Sequence, residues 1–238
     1  MKKVILRIFG VLLILIIAAA FFFRGEIKMA YNMAFLSPEQ TDLKLKKSKE
    51  DLSRKLVAEY GIDQTFADGF TKEEEEKLLK GETTVDEVMN RILGENKEEK
   101  PQNNSKTETQ EKLYDNQQKL NEVMKNGTAN IYKIKAEYLT KLGTLEAEID
   151  KFYSGKLMSG SSRKSAKQAV IATYLPKLAQ IVNEADAQID QELKTFEKDI
   201  KTLGGDTSII KQIRNEYEAE KTAKQSQYKE RMSRNGGY

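Results

Sequence analysis

The chain has 238 residues, 40 of them Lys or Arg and 37 Asp or Glu, so its net charge is +3. It is 32% charged and 8% aromatic, with three Pro and no Cys, His or Trp. These figures exclude disulfides, a lipid-modified cysteine, thiolate metal sites and the commonest proton shuttle, and they fit long amphipathic helices better than a thick globular core.

The first element is an apolar run from Ile8 to Phe23, sixteen residues without a charge between Arg7 and Arg24. Sixteen helical residues reach roughly 24 Å, and the roughly 30 Å hydrocarbon core is spanned once the helix extends back to Val4. Arg7 then lies near the end, where its stem carries the guanidinium to the headgroups. A single transmembrane anchor is expected over 8–23, effectively 4–23, with Ile8, Leu12, Leu15, Ile16, Phe21, Phe22 and Phe23 in the lipid bilayer. Residues 1–7 form a short basic tail, and Lys2, Lys3 and Arg7 favour a cytoplasmic N-terminus with the body outside, a bias that Arg24 and Lys28 weaken. The competing reading is a signal peptide cut after Ala20, since Ala18-Ala19-Ala20 fits an A-x-A site. Cleavage there would release a secreted or periplasmic binding module. Phe21-Phe22-Phe23 continues the apolar run past that site and argues for retention.

Residues 37–94 read as a small helical subdomain. Ser37-Pro38-Glu39 marks a helix start or a turn. Ser48-Lys49-Glu50-Asp51 is expected to cap a helix bearing Leu52, Leu56, Val57 and Tyr60 and closed by Gly61. Two S/T-x-x-E boxes, Thr71 to Glu74 and Thr84 to Glu87, open helices that stop at Gly81 and Gly94. Leu52, Leu56, Tyr60, Phe66, Phe70, Leu78, Leu79, Val88, Met89 and Ile92 would form the core, marginal on its own at this size. Residues 95–110 (ENKEEKPQNNSKTETQ) hold no large apolar side chain. They read as a polar linker.

From 111 to 234 the helical period is plain. Ile131, Ile134, Tyr138, Leu142, Leu145, Ile149 and Phe152 recur at steps of three and four, with Gly127-Thr128 the expected bend. A loop of about ten residues is expected from Ser154 to Ser162. The next stripe is Ile171, Leu175, Leu178, Val182, Ala185, Ile189, Leu193, Phe196, Ile200 and Leu203, with a kink or break at Pro176. Gly204-Gly205-Asp206 turns tightly into a last helix with Ile209, Ile210, Ile213 and Tyr217. The expected fold is all-α: an N-terminal single transmembrane helix, the small helical subdomain, then an antiparallel three-helix coiled-coil bundle.

No chemistry emerges from the motifs. Gly204-Gly205 and Gly236-Gly237 fit a turn and a tail, not a phosphate loop. A calcium loop with Gly69 at position six would place Gln64 and Phe66 where carboxylates are needed, so Glu73 to Glu76 reads as helix N-terminal charge. The pairs Glu146/Asp150 and Asp186/Asp190 read as solvated faces rather than acid–base pairs. Ser162-Arg163-Lys164-Ser165 is too weak a basis for a Lys-activated nucleophile. No catalytic, cofactor-binding or metal residue is expected, and no small-molecule substrate. Interspersed charge argues against nucleic acid. Tyr132, Tyr153 and Tyr174, on the flanks of the stripes, are candidate partner contacts. The expected function is a membrane-anchored scaffold that binds partner helices, including a second copy of itself. That layout is shared by many bacterial envelope proteins, with no motif tying the chain to one of them.

Overall fold

The structure is a computed structural model that describes residues 38–94 and 108–233, and the side chains within 39–94 and 116–224. The described residues form seven helices: α1 (Pro38–Tyr60), α2 (Gln64–Asp68), α3 (Lys72–Lys80), α4 (Val85–Leu93), α5 (Glu108–Met158), α6 (Arg163–Thr202) and α7 (Ser208–Ser233). The all-α class and a long bundle-like core agree with the periodicity. The anchor residues Ile8, Leu12, Leu15, Ile16, Phe21, Phe22 and Phe23 lie outside the described residues, as do 95–107 of the linker. Among the described residues no helix is long and apolar enough to cross a membrane.

Local chemistry sets several helix ends. Both capping boxes close: Glu74 accepts from the Thr71 N–H and Glu87 from the Thr84 N–H, while each Thr hydroxyl accepts from the third residue on. Asp63 caps α2 by accepting from the Thr65 and Phe66 N–H groups, and this short helix comes in addition to those expected from the sequence. Ser48 is not a cap, because α1 already begins at Pro38, whose fixed φ suits a first turn.

The long helices are more continuous than their sequence suggests. α5 runs through Gly127, Gly143 and Gly155 to Met158, so the connection to α6 shrinks to Ser159–Ser162, with Gly160 at φ 85° and Ser162 capping α6. α6 passes through Pro176 without a break. Pro176 and Ala172, whose carbonyl loses its usual donor, both lie on the exposed side. Water can therefore take the lost hydrogen bond. Continuity also rotates the apolar face. Ala166, Val170, Tyr174 and Leu178, four apart, point inward, while Ile171 and Leu175 are 50% and 37% exposed.

α5 and α6 form an antiparallel hairpin, bridged by Asn130 to Glu192, Lys141 to Glu184 and Lys177 to Glu148. α7 runs back antiparallel to α6, with Arg214 on Asp190 and Lys221 on Asp186. Its most extensive neighbour, however, is α1. α1 is antiparallel to α7, since Lys55 and Tyr60 near its end reach Asp206 at the start of α7. α3 and α4 pack on α5. Residues from the 37–94 and 111–234 segments thus share one core, in which Leu52, Leu56, Phe66 and Leu78 meet Met124, Ile131, Phe196 and Ile213. A second cluster fills the hairpin between Tyr138, Leu142, Leu145, Ile149 and Tyr153 of α5 and Val170, Tyr174, Leu178 and Val182 of α6.

Gly127 and Gly143 of α5 are points of close approach, not bends. A Cβ on Gly127 would sit 2.6 Å from the Phe196 ring, and one on Gly143 would sit 1.8 Å from the Leu79 carbonyl oxygen.

Candidate functional site

The three tyrosines expected at a partner surface are buried: Tyr132 is 4% exposed, Tyr153 2% and Tyr174 8%. Tyr132 packs against Phe66 and Phe70, each with ring centroids 5.7 Å away, and its hydroxyl donates to the Ala67 carbonyl at 3.1 Å. The Tyr174 hydroxyl donates to the Glu148 carbonyl at 3.3 Å, and its ring meets Phe152 edge-on. Tyr132 becomes core because α2 and the segment after it pack on α5, and Tyr153 and Tyr174 because both face the interior of the α5–α6 hairpin. These rings join helices; in this fold they offer no outer contact surface.

The most unusual constellation is ionic and lies where α1, α3, α5 and α7 meet. Lys135 of α5 is 3% exposed, and its Nζ stands 2.8 Å from Glu216 Oε1 and 2.5 Å from Glu220 Oε2 of α7. The same ammonium lies 5.5 Å from the centre of the Tyr132 ring and 5.9 Å from that of Phe70. Beside it, Glu75 of α3 accepts from Lys49 of α1 and Lys224 of α7, both at 2.8 Å. Three Lys face three Glu, so the charges balance, as burial demands.

Electrostatics fixes the protonation of most of these groups. Burial opposes the charge of Lys135, but Glu216 and Glu220 outweigh it and hold the ammonium above the usual lysine range. Burial also works to raise the Glu75 carboxyl, yet Lys49 and Lys224 bring it down to about 2. The Glu216 carboxyl is pushed up by burial, against the pull of Lys135. Glu216 Oε2 and both Glu220 oxygens are buried without a hydrogen-bond donor among the described residues, Lys135 lying off the bonding direction of Glu220.

A lysine held protonated is neither a base nor a nucleophile. The cavity bordered by Lys49, Tyr132, Lys135 and Glu216 measures about 10 Å³, room for one water at most. Among the described residues no group of three or more acidic side chains is arranged to hold a metal ion. The arrangement is an ionic lock that ties four helices together.

The carboxylates read as solvated faces divide. Asp190 is exposed and pairs with Arg214 at 2.5 Å. Asp186 is half-buried, accepting from the Tyr217 hydroxyl at 2.8 Å and from Lys221 at 2.6 Å. Glu73 to Glu76 divides likewise. Glu73 pairs with Lys77, Glu74 holds its cap and Arg91, and Glu75 enters the core.

A signal for the lock was present in the sequence. Lys135 is four residues after Ile131 and four before Leu139, on the apolar face of α5; Glu216 and Glu220 fall between Ile213 and Ala223 in the same way. Opposite charges at core positions of two helices point to a buried pair. No family model, curated protein or solved structure matches the chain, so its chemistry is read from these residues alone.

Proposed function

We propose that the protein is a single-span membrane scaffold, its helical body held at the bilayer by residues 4–23 and presenting a helical surface to protein partners. The observation that carries this reading is the uncharged run from Ile8 to Phe23 between Arg7 and Arg24. Lys2, Lys3 and Arg7 keep the N-terminus in the cytoplasm, and the body lies outside. α5, α6 and α7 act as a coiled-coil-type bundle, braced by α1. The partner face is the outer side of α6, where Ile171 and Leu175 leave apolar surface uncovered. A partner helix, including one from a second copy, reads such a pair at four-residue spacing. The mechanism is tethering, without catalysis, cofactor or nucleic acid.

The second reading, a cleaved secreted module, is favoured by Ala18-Ala19-Ala20 alone. Membrane fractionation with an alkaline wash and N-terminal sequencing separates the two. Retention of Met1 or Lys2 in the washed membrane is expected, and a soluble chain beginning at Phe21 would overturn the anchor. Protease added from outside should cut within 95–107 before the membrane is permeabilised. Protection until permeabilisation would place the body in the cytoplasm.

A further inference from the structure

The turn end of the α5–α6 hairpin carries charge of one sign. From Lys151 to Asn183 the chain has six basic residues and no Asp or Glu, whereas acidic residues outnumber basic ones over the rest of it. Lys177 pairs with Glu148. Lys151, Lys156, Arg163, Lys164 and Lys167 make no ion pair among the described residues; Lys151, Arg163 and Lys164 are exposed, the other two partly so. Met158, the last residue of α5, stands among them 89% exposed. Elsewhere on the hairpin, exposed lysines do meet acidic partners, as Lys141 meets Glu184 and Lys201 meets Glu197. This end has none.

Topology decides where that end points. α6 begins at the turn and α7 is antiparallel to α6, so α7 heads toward the turn. α1 is antiparallel to α7, so Pro38, where the described chain enters the body, faces the same end. Fourteen residues, Arg24 to Ser37, separate the proposed anchor from Pro38. A chain of that length reaches up to about 50 Å, enough for the turn to meet the bilayer that holds the anchor.

We propose that the α5–α6 turn docks on the bilayer surface, its basic side chains on anionic phospholipid headgroups and Met158 at the acyl boundary. Charge and an exposed apolar side chain carry this contact; it rests on the anchor reading only for the choice of bilayer. Each Lys or Arg near an anionic leaflet contributes about a fivefold gain in association, effective within a Debye length. One turn with several such groups and one apolar residue is a weak binder alone and an effective second contact for a tethered body.

The chain lacks Cys, so one cysteine can carry a reporter. Full-length protein with Ser159→Cys is labelled with bimane and reconstituted into vesicles of phosphatidylcholine alone or with roughly 30% phosphatidylglycerol, each with shallow nitroxide quencher lipid. Thr202→Cys, at the opposite end of α6, is the control. The expected result is strong quenching at 159 only in anionic vesicles and little at 202 in either. About 0.5 M salt should abolish it, since the screening length falls to a few ångströms. Reversal of three exposed charges, Lys151→Glu with Arg163→Glu and Lys164→Glu, should do the same, weakening association at least about 100-fold. Equal quenching at 159 and 202, or salt-insensitive quenching at 159 in neutral vesicles, would overturn the proposal. An alkaline wash of the same vesicles reports the anchor separately. If the wash strips the protein, the anchor reading fails, and quenching at 159 after addition to preformed anionic vesicles still decides the docking.

Discussion

Three glycines in one helix should respond to alanine in three different ways. Helix propensity alone predicts that each Gly→Ala change in α5 stabilises by about 1 kcal/mol. Gly155 is exposed, with nothing within 4 Å of a new Cβ, so it should follow propensity. At Gly143 the new Cβ would lie 1.8 Å from the Leu79 oxygen, 2.6 Å from its carbonyl carbon and 2.9 Å from its Cα. All three are backbone atoms, so no rotamer change relieves the clash. The end of α3 would have to retreat by about 1.5 Å to restore ordinary contact. That movement loosens Leu78, only 1% exposed, and drags Glu75 away from its two lysines. Overpacking that displaces backbone costs about 3 kcal/mol, well above the propensity gain. Gly127 is intermediate, because its Cβ would meet the ring of Phe196, a side chain that can tilt; about 1–2 kcal/mol of net destabilisation is expected. For a chain of this size 1 kcal/mol moves Tm by about 2–4 °C. Thermal melts of the full chain in mild detergent, followed by circular dichroism, should therefore rank Gly155→Ala above the parent, then Gly127→Ala, then Gly143→Ala lowest, with its net loss of about 2 kcal/mol putting it roughly 4–8 °C below the parent. Stabilisation at Gly143 equal to that at Gly155 would refute the close approach of α3 to α5.

Lys135→Met leaves Glu216 and Glu220 buried without their cation and should cost about 3–5 kcal/mol, whereas adding Glu216→Gln and Glu220→Gln should recover much of it; chemical denaturation of the single and triple variants checks this. The Glu75 carboxyl sits at about 2 when folded, below its unfolded value of 4.5, so its contribution is present above pH 4.5 and is lost as pH falls toward 2. Glu75→Gln should flatten the acid limb of the stability curve between those values, and an unchanged limb would show that the lysines do not hold it ionised. Leu145→Asp and Ile189→Asp, at 5% and 0% exposure, should each destabilise by several kcal/mol while Glu146→Ala stays within about 0.5 kcal/mol. The fragment Glu111–Arg234 should be helical yet melt well below the full chain, because it lacks the α1 face that packs on Ile213 and Tyr217; equal melting would mean that α1 adds nothing.

The sequence by itself determined the features that residues settle with near neighbours. The two capping boxes, the stop at Gly61 and the inward setting of Leu145, Ile149, Val182 and Ile189 depend on spacings of three or four residues along one chain. Only the tertiary structure decided what lies across from each face. Gly143 looks like a weak point until the Leu79 carbonyl is set against it, and Ile171 like core until an unbroken α6 turns it outward. Tyr132 looks like a flank residue until α2 and the segment after it, with Phe66, Ala67 and Phe70, close over its ring. Lys135 and Glu216 are 81 residues apart, and Glu75 and Lys224 are 149 apart. Periodicity assigns such residues to a face, but a charge on an apolar face is stable only once its counter-charge arrives, and that requires α7 to lie beside α1 and α5.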